Sequence, residues 1–244
     1  VVMVLFTASA ALSMHAGLSM HSARRFHDAH MALSLHGSQQ SRSPLVNWYA
    51  NELGVPLQMQ PPRPSNHPFD QVPFLTDDGV EVFESGAILL YLADKYGGYT
   101  TPQERASYTK WVVWTNSELD GLCFGAVPGD HRVRGTSMDK PELRSVGRLD
   151  TILGEREWLV GDTFSVADVA VGSYLNYVPI FFQNADLSRT RNIAAYMQRC
   201  AGRPAFVEAF GEQHAALVQA KTSAWLGQSS QGANANAFWQ KLGL

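Results

Sequence analysis

A proline interrupts the start of the clearest hairpin in the chain. Residues 71–85 read QVPFLTDDGVEVFES. PFL and VEVF are short apolar strands, and Thr76-Asp77-Asp78-Gly79 between them has the Asp-Gly chemistry of a tight turn. Pro73 has no amide to donate, which confines it to a strand edge, a strand start or a bulge. The ladder is left open there, and a group other than the sheet can pair beside it. If the Val72-Pro73 bond is cis, the amide and carbonyl of Val72 lie free of the sheet, where a peptide backbone can add as an extra strand.

The segments around the hairpin give it a setting. MALSLHG, residues 31–37, reads as a strand. SRSPLVNWYANELG reads as a helix, with Ser43 as its cap, Pro44 at the first helical position and Gly54 as its stop. Leu45, Trp48, Tyr49 and Leu53 mark one face of it. VPLQMQ fits a second strand, PPRPSNHP is a proline-rich loop, and AILLYLADKYG is an apolar helix ending before Gly97. The order strand, helix, strand, loop, hairpin, helix is a small α/β layer of the thioredoxin type.

After the turn-rich GGYTTP the chain changes character, and five helix-like segments with apolar stripes follow. The fold class expected is therefore an α/β thioredoxin-like N-terminal domain at 31–97 and an all-α C-terminal domain at 102–226, joined by a linker at 98–101. The 244 residues suffice for two such cores. Residues 227–244 form a tail that opens polar and closes with Phe238, Trp239 and Leu242. Residues 1–30 are apolar and then carry Arg24 and Arg25, which fits a targeting leader or an extension of the gene model. Ser13, His15, Gly17 and Ser19 break the apolar run, so no membrane span is expected there.

Composition removes several function classes. A net charge of -3 with 17% charged residues provides no basic stripe for nucleic acid. Cys123 and Cys200 are isolated and the eight histidines lack ligand spacing, so neither a disulfide framework nor a metal site is indicated. A reducing compartment, the cytoplasm, is expected unless residues 1–30 redirect the chain. A helix opening with Glu84-Ser85-Gly86 beside Pro73 supplies amides and a hydroxyl for a carboxylate, the makings of a site for a small anionic peptide.

At this point the chain resembles a known family. HPFDQVPFLTDDGVEVFESGAILLYLADKYG is similar to the glutathione-binding half of the cytosolic glutathione transferases, and LVGDTFSVADVAVGSYL is similar to their helical half. The resemblance runs from about Met31 to Gly211 and implies a dimeric enzyme with glutathione as co-substrate and no other cofactor. By it, Val72 before a cis Pro73 pairs with the cysteinyl backbone, Glu84 and Ser85 hold the γ-glutamyl end, and Gln71 adds its side chain. Ser165 and Asp168 form a capping box that supports folding.

The thiol-activating position is less regular. Gln40, by the resemblance a glutathione contact, falls where serine-type classes carry their serine, and Arg42 where the bacterial beta class carries its cysteine. SRSPLVNWYANELG resembles the chi-like bacterial members, which lack those groups. Ser41, the nearest hydroxyl, is the first choice as thiol donor, Arg42 is an electrostatic stabiliser of the thiolate, and Ser43 a helix cap. No cysteine precedes Cys123, so mixed-disulfide chemistry through a protein thiol lacks its nucleophile. Asp120-Gly121 replaces the beta-class His-Lys pair and takes positive charge from the thiol. PPRPSNHPFDQ is too short for the family's second helix, and Arg63 or His67 are stand-ins for its contacts unless they are solvated loop residues.

Tyr108, Trp111 and Trp114, at helical spacing on the first long helix, are candidates for a hydrophobic co-substrate pocket facing the 37–41 loop, with Tyr177 and Phe181 joining from a later helix. The implied activity is conjugation of reduced glutathione to small hydrophobic electrophiles, or reduction of organic peroxides with it. The alternative is a non-catalytic module that uses the same fold to bind glutathione or dock proteins.

Overall fold

The computed structural model describes residues 33–63, 66–125 and 132–241, the stretch 228–241 by its backbone alone. The expectations for residues 1–30, and for docking by Phe238, Trp239 and Leu242, lie outside the described residues and side chains.

Strands β1 (Ser34–His36), β2 (Gln58–Gln60), β3 (Phe74–Asp77) and β4 (Val80–Phe83) form one sheet in the order β2-β1-β3-β4. β2 lies parallel to β1, as the intervening helix α1 (Ser43–Leu53) requires, whereas β3 runs antiparallel to both β1 and β4. Leu35 faces Leu75 across β1 and β3, and both are fully buried. The hairpin turn is tighter than the four residues expected. Asp77 pairs with Val80, leaving Asp78 (φ 49°) and Gly79 (φ 81°) as a two-residue turn with both centres left-handed. No helix forms between β2 and β3 among the described residues.

α1 ends as expected on Gly54, whose φ of 65° turns the chain out of the helix. Its start differs from the sequence reading. Ser43 is fully buried as the first helical residue, and Ser41 Oγ accepts its amide at 3.1 Å, so Ser41 rather than Ser43 caps the helix. Gly37 makes this crowding possible, because a Cβ there would fall 1.8 Å from Ser43 Oγ. α2 (Ser85–Tyr96) is fastened to the hairpin by the buried Asp77, which accepts from Tyr91 Oη (2.9 Å), Tyr96 Oη (2.7 Å) and Lys95 Nζ (2.7 Å).

The helical half begins with α3 (Pro102–Trp114), opened by a Thr101–Glu104 capping box. α3 passes through a single π-helical turn at Thr115–Leu119 into α4 (Asp120–Phe124). α5 (Arg144–Glu155), α6 (Val166–Phe181), α7 (Arg191–Ala201), α8 (Pro204–Phe210) and α9 (Glu212–Lys241) follow. α6 is buried from Val166 to Pro179, the pattern of a central helix with no solvent face over that span. The capping box at its start is present, with Asp168 also accepting from Leu159 N–H and Tyr196 Oη at 2.9 Å each. The single helix expected over residues 190–211 is two, broken at Gly202-Arg203 because Pro204 has no amide to continue α7. Conversely, α9 runs on through residues expected as a tail, since no proline stops it before Lys241.

α1 is the element that joins the layers. Trp48 packs against Phe164, Phe206 and Phe210 at centroid distances of 5.4, 5.0 and 6.0 Å. Near its C-terminal end, Glu52 takes a two-pronged ion pair from Arg203 at 2.6 and 2.7 Å.

Candidate functional site

Three backbone features converge on one cradle: the turn 38–43 before α1, the Val72-Pro73 step and the start of α2. The Val72-Pro73 bond is cis. β3 begins only at Phe74, paired with Phe83, so Val72 stands outside the ladder as the proline required. Glu84 adopts φ 69°, a left-handed conformation that non-glycine residues rarely occupy and that tends to mark functional sites. No side chain caps α2, and its first backbone bond runs from Ile88 N–H to Glu84 C=O, which leaves the earlier amides at the positive end of the helix open. Ser85 is buried at 5% exposure, while Glu84 is exposed.

The helical half closes the cradle from behind. A Cβ on Gly86 would fall 2.6 Å from Asn116 Nδ2, so the start of α2 lies directly on the π turn. Asn116 Oδ1 accepts from Tyr174 Oη at 3.3 Å, and Tyr174 Oη in turn accepts from Arg42 Nη1 at 2.8 Å. Arg42 forms an ion pair with Asp120 through Nη2 and lies 4.5 Å over the Tyr174 ring and 5.6 Å over that of Phe124. Burial pushes the Tyr174 hydroxyl up to about 12, against the pull of Arg42 and of the Ser85 hydroxyl beside it. Arg42 is held above its ordinary value: burial alone would lower it, but Tyr174 and Asp120 outweigh that. Single π turns recur at functional sites, and here the turn sets Asn116 and Asp120 against the cradle.

The turn 38–43 is fastened at three points, by Gln39 Nε2 to Ala209 C=O (3.1 Å), by Tyr177 Oη to Ser41 C=O (3.1 Å) and by Arg42 to Tyr174. The Ser41 hydroxyl is engaged inside the turn. It donates to Ser38 C=O at 2.8 Å, lies 2.7 Å from Ser43 Oγ and accepts from Ser43 N–H. Ser41 is thus a cap in this arrangement rather than a hydroxyl presented to a ligand. Gln40 is exposed at the tip of the turn, and Gln71 is half-buried beside Val72.

The aromatic triplet does not form one wall. Each three-residue step on an α-helix turns about 300°, so Tyr108 and Trp114 point about 120° apart. Tyr108 stacks on Tyr99 (4.2 Å) in a cleft of about 280 Å³ that also touches Leu90, Tyr91 and Asp94. Trp111 and Trp114 line a second cleft of about 340 Å³ with Leu149, Ile152, Lys110 and Arg148. Neither cleft is lined by the 38–42 turn, Glu84 or Ser85. The aromatic cluster beside the cradle is instead Phe181 with the buried Phe124 and Tyr177 behind it, Phe124 and Phe181 being 5.8 Å apart and Phe181 48% exposed.

Of the stand-ins for the missing helix, Arg63 is exposed, but His67 is no solvated loop residue. It is buried against Phe74 and Phe83 (5.7 and 5.1 Å), and its Nδ1 accepts the Phe69 amide. Tyr174, Asn116, Asp120 as the partner of Arg42, and Phe124 are the contributions that sequence reasoning missed. The signal available for one of them was Tyr174 with Tyr177, two hydroxyl-bearing rings one helical turn apart on a mostly apolar helix. Among the described residues no cluster of three histidine, cysteine or carboxylate side chains fits a metal ion.

Comparison with known proteins gives the same two halves. The model of the glutathione S-transferase N-terminal domain matches residues 36–94, and that of the C-terminal domain matches residues 138–204. A glutathione S-transferase domain-containing protein of Dictyostelium discoideum is 32% identical over 158 residues, covering 57% of this chain and 60% of its own, so the chain spans less than two thirds of that relative. The disulfide-bond oxidoreductase YfcG of Escherichia coli is 29% identical over 170 residues, 63% of this chain and 78% of its own. Among solved structures, a glutathione transferase of Burkholderia graminis with two glutathione molecules bound per subunit superimposes with a TM-score of 0.59 at 25% identity, covering 73% of this chain and 87% of that one.

Proposed function

Because the chain belongs to the glutathione S-transferase family, we propose that it binds reduced glutathione in the cradle and transfers it to small hydrophobic electrophiles. The single observation that carries the reading is the juxtaposition of the unpaired Val72 step with the uncapped start of α2 at Glu84 and Ser85. In this reading the cysteinyl backbone adds to Val72 as a short strand, and Gln71 flanks it. The γ-glutamyl carboxylate takes the first amides of α2 and the Ser85 hydroxyl, and Glu84 takes the ammonium group. The thiol then falls at the start of α1, near Ser41 and Arg42.

The chemistry needs the thiolate, since a thiol of ordinary pKa near 8.5 is mostly protonated at neutral pH. The Arg42 guanidinium favours the anion, since the Ser43 amide is already taken by Ser41 Oγ and Pro44 has none to offer, and Ser41 contributes a hydrogen bond only by releasing Ser38 C=O. The thiolate forms the S–C bond, the leaving group departs with the electron pair of the broken bond, and the thiol proton goes to solvent. The exposed Phe181, backed by the buried Phe124 and Tyr177, offers the apolar wall for the electrophile. Glutathione-dependent reduction of organic peroxides uses the same thiolate. The engaged Ser41 hydroxyl and the paired Arg42 favour one second reading, a glutathione-binding docking module of low turnover.

We further propose a homodimer. Phe69 projects at 65% exposure next to the exposed Asp70, and the Trp111–Trp114 cleft is rimmed by Lys110, Arg144 and Arg148, none of which forms an ion pair among the described residues. A two-fold pairing would seat each Phe69 in the cleft of the other copy and bring Asp70 to its cations. Among the described residues no helix is long and apolar enough to cross a membrane.

The test is turnover of an activated aryl halide with glutathione. Ser85→Ala, which removes one hydrogen bond to a charged group worth about 1.5–3 kcal/mol, should lower kcat/KM by about ten-fold or more. Wild-type turnover that Ser85→Ala leaves unchanged contradicts the placement of the peptide, and glutathione binding without any turnover selects the docking reading.

A further inference from the structure

Arg42 occupies an unusual place for a cation. It stands at the start of α1, and the tyrosine hydroxyl that accepts its Nη1 lies beside Ser85, the first residue of α2. The guanidinium thus lies against the Tyr174 and Phe124 rings, partly out of water, where a cation without an opposing anion would be costly. Asp120, the first residue of α4, supplies that anion across 78 residues of sequence, and it is placed there by the π turn that precedes it. The other ionisable groups facing Arg42 are Cys123 of α4 and Tyr174 and Tyr177 of α6. Burial pushes all three well above their ordinary values, which leaves the Asp120 carboxylate as the charge opposing the guanidinium.

We propose that Asp120 is a positioning residue that weakens the pull of Arg42 on bound glutathione, so that the pair, rather than a lone cation, sets the acidity of the peptide thiol. The inference rests on the glutathione-binding reading given above. With Asp120 in place the guanidinium is directed at α4 and its field at the cradle is largely cancelled. With a neutral, isosteric amide in its place the charge of the Arg42 side chain, 39% exposed, acts on the cradle without an opposing carboxylate. The thiolate gains from this directly.

The experiment is a pH titration of the thiolate of bound glutathione by ultraviolet difference absorbance, with the pH dependence of kcat/KM beside it, for wild type, Asp120→Asn, Arg42→Met and the double variant. Asp120→Asn should move the thiol pKa down by about one unit, the effect of an unpaired, partly screened cation at short range. The shift should vanish in the double variant, since the carboxylate acts through Arg42. A loss of fold would appear in circular dichroism, and Asp120→Glu, which keeps the charge, should restore the wild-type profile. A thiol pKa unchanged or raised in Asp120→Asn overturns the inference, as does a downward shift that persists without Arg42. If wild-type protein binds no glutathione, the glutathione reading falls and the inference with it; binding with unshifted titration overturns the inference alone.

Discussion

Gly172 is the position where two opposite effects can be weighed. It lies in the buried stretch of α6, and a Cβ added there would meet Cys200 Sγ at 2.8 Å and Trp48 Cη2 at 3.3 Å. Replacing glycine by alanine within a helix is worth about 1 kcal/mol in propensity. Against this, both neighbours are fully buried, and forcing a methyl into a close-packed core costs about 2–3 kcal/mol. Gly172→Ala should therefore destabilise by about 1–2 kcal/mol, a fall in Tm of about 5 °C for a chain of this size. Cys200→Ala alone removes the sulfur and should cost about 1 kcal/mol through the void it leaves. In the double variant the new methyl fills that void, so the two losses should not add and the coupling should be about 2 kcal/mol in favour of the pair. Urea denaturation followed by circular dichroism, at one protein concentration, measures all four proteins. A Gly172→Ala protein more stable than wild type, or a double variant whose loss equals the sum of the single losses, refutes the packing argument.

Two further predictions concern the thioredoxin-like half. The Asp77 carboxyl lies below the ordinary carboxylate range, because hydrogen bonds from Lys95, Tyr96 and Tyr91 outweigh the burial that alone would raise it. With its folded pKa below the unfolded value near 3.9, its contribution is full above about pH 5 and is lost as pH falls through the folded pKa. Asp77→Asn should cost about 2 kcal/mol at pH 7 and flatten the decline in stability below pH 4; an acid limb as steep as that of wild type contradicts this. Phe69→Ser, at a residue 65% exposed, should shift sedimentation from dimer toward monomer, and added salt should weaken the wild-type dimer. A wild-type monomer at tens of micromolar contradicts the knob-and-cleft pairing.

The parts of this molecule legible in the sequence are those governed by neighbours. The Asp-Gly turn, the stop at Gly54, the capping box of Ser165 and Asp168 and the exclusion of Val72 from the ladder each depend on two to five consecutive residues, and the structure contains all of them. What escaped was set by distant contacts. Nothing near Arg42 in sequence points to Asp120 or Tyr174, which lie 78 and 132 residues away. Ser41 and Ser43 are two apart, and only the close approach that Gly37 allows decides which of them caps α1. Tyr108, Trp111 and Trp114 look like one stripe when counted in threes, but the rotation per step sends them into two clefts. His67 reads as a loop residue by composition, yet the edge of the sheet folds over it with Phe69 and Phe83.

The central claim is that the open step at Val72 and the start of α2 together hold glutathione. Calorimetric titration of glutathione into the protein, with Glu84→Ala alongside, tests it most directly. Glu84 is exposed, and alanine meets the same left-handed backbone there that glutamate already occupies, so the variant isolates the carboxylate. The account predicts one site per chain with a dissociation constant of about 1 μM to 1 mM, weakened about ten-fold or more in Glu84→Ala. Heat of binding absent from the wild type, or equal in both proteins, would contradict it.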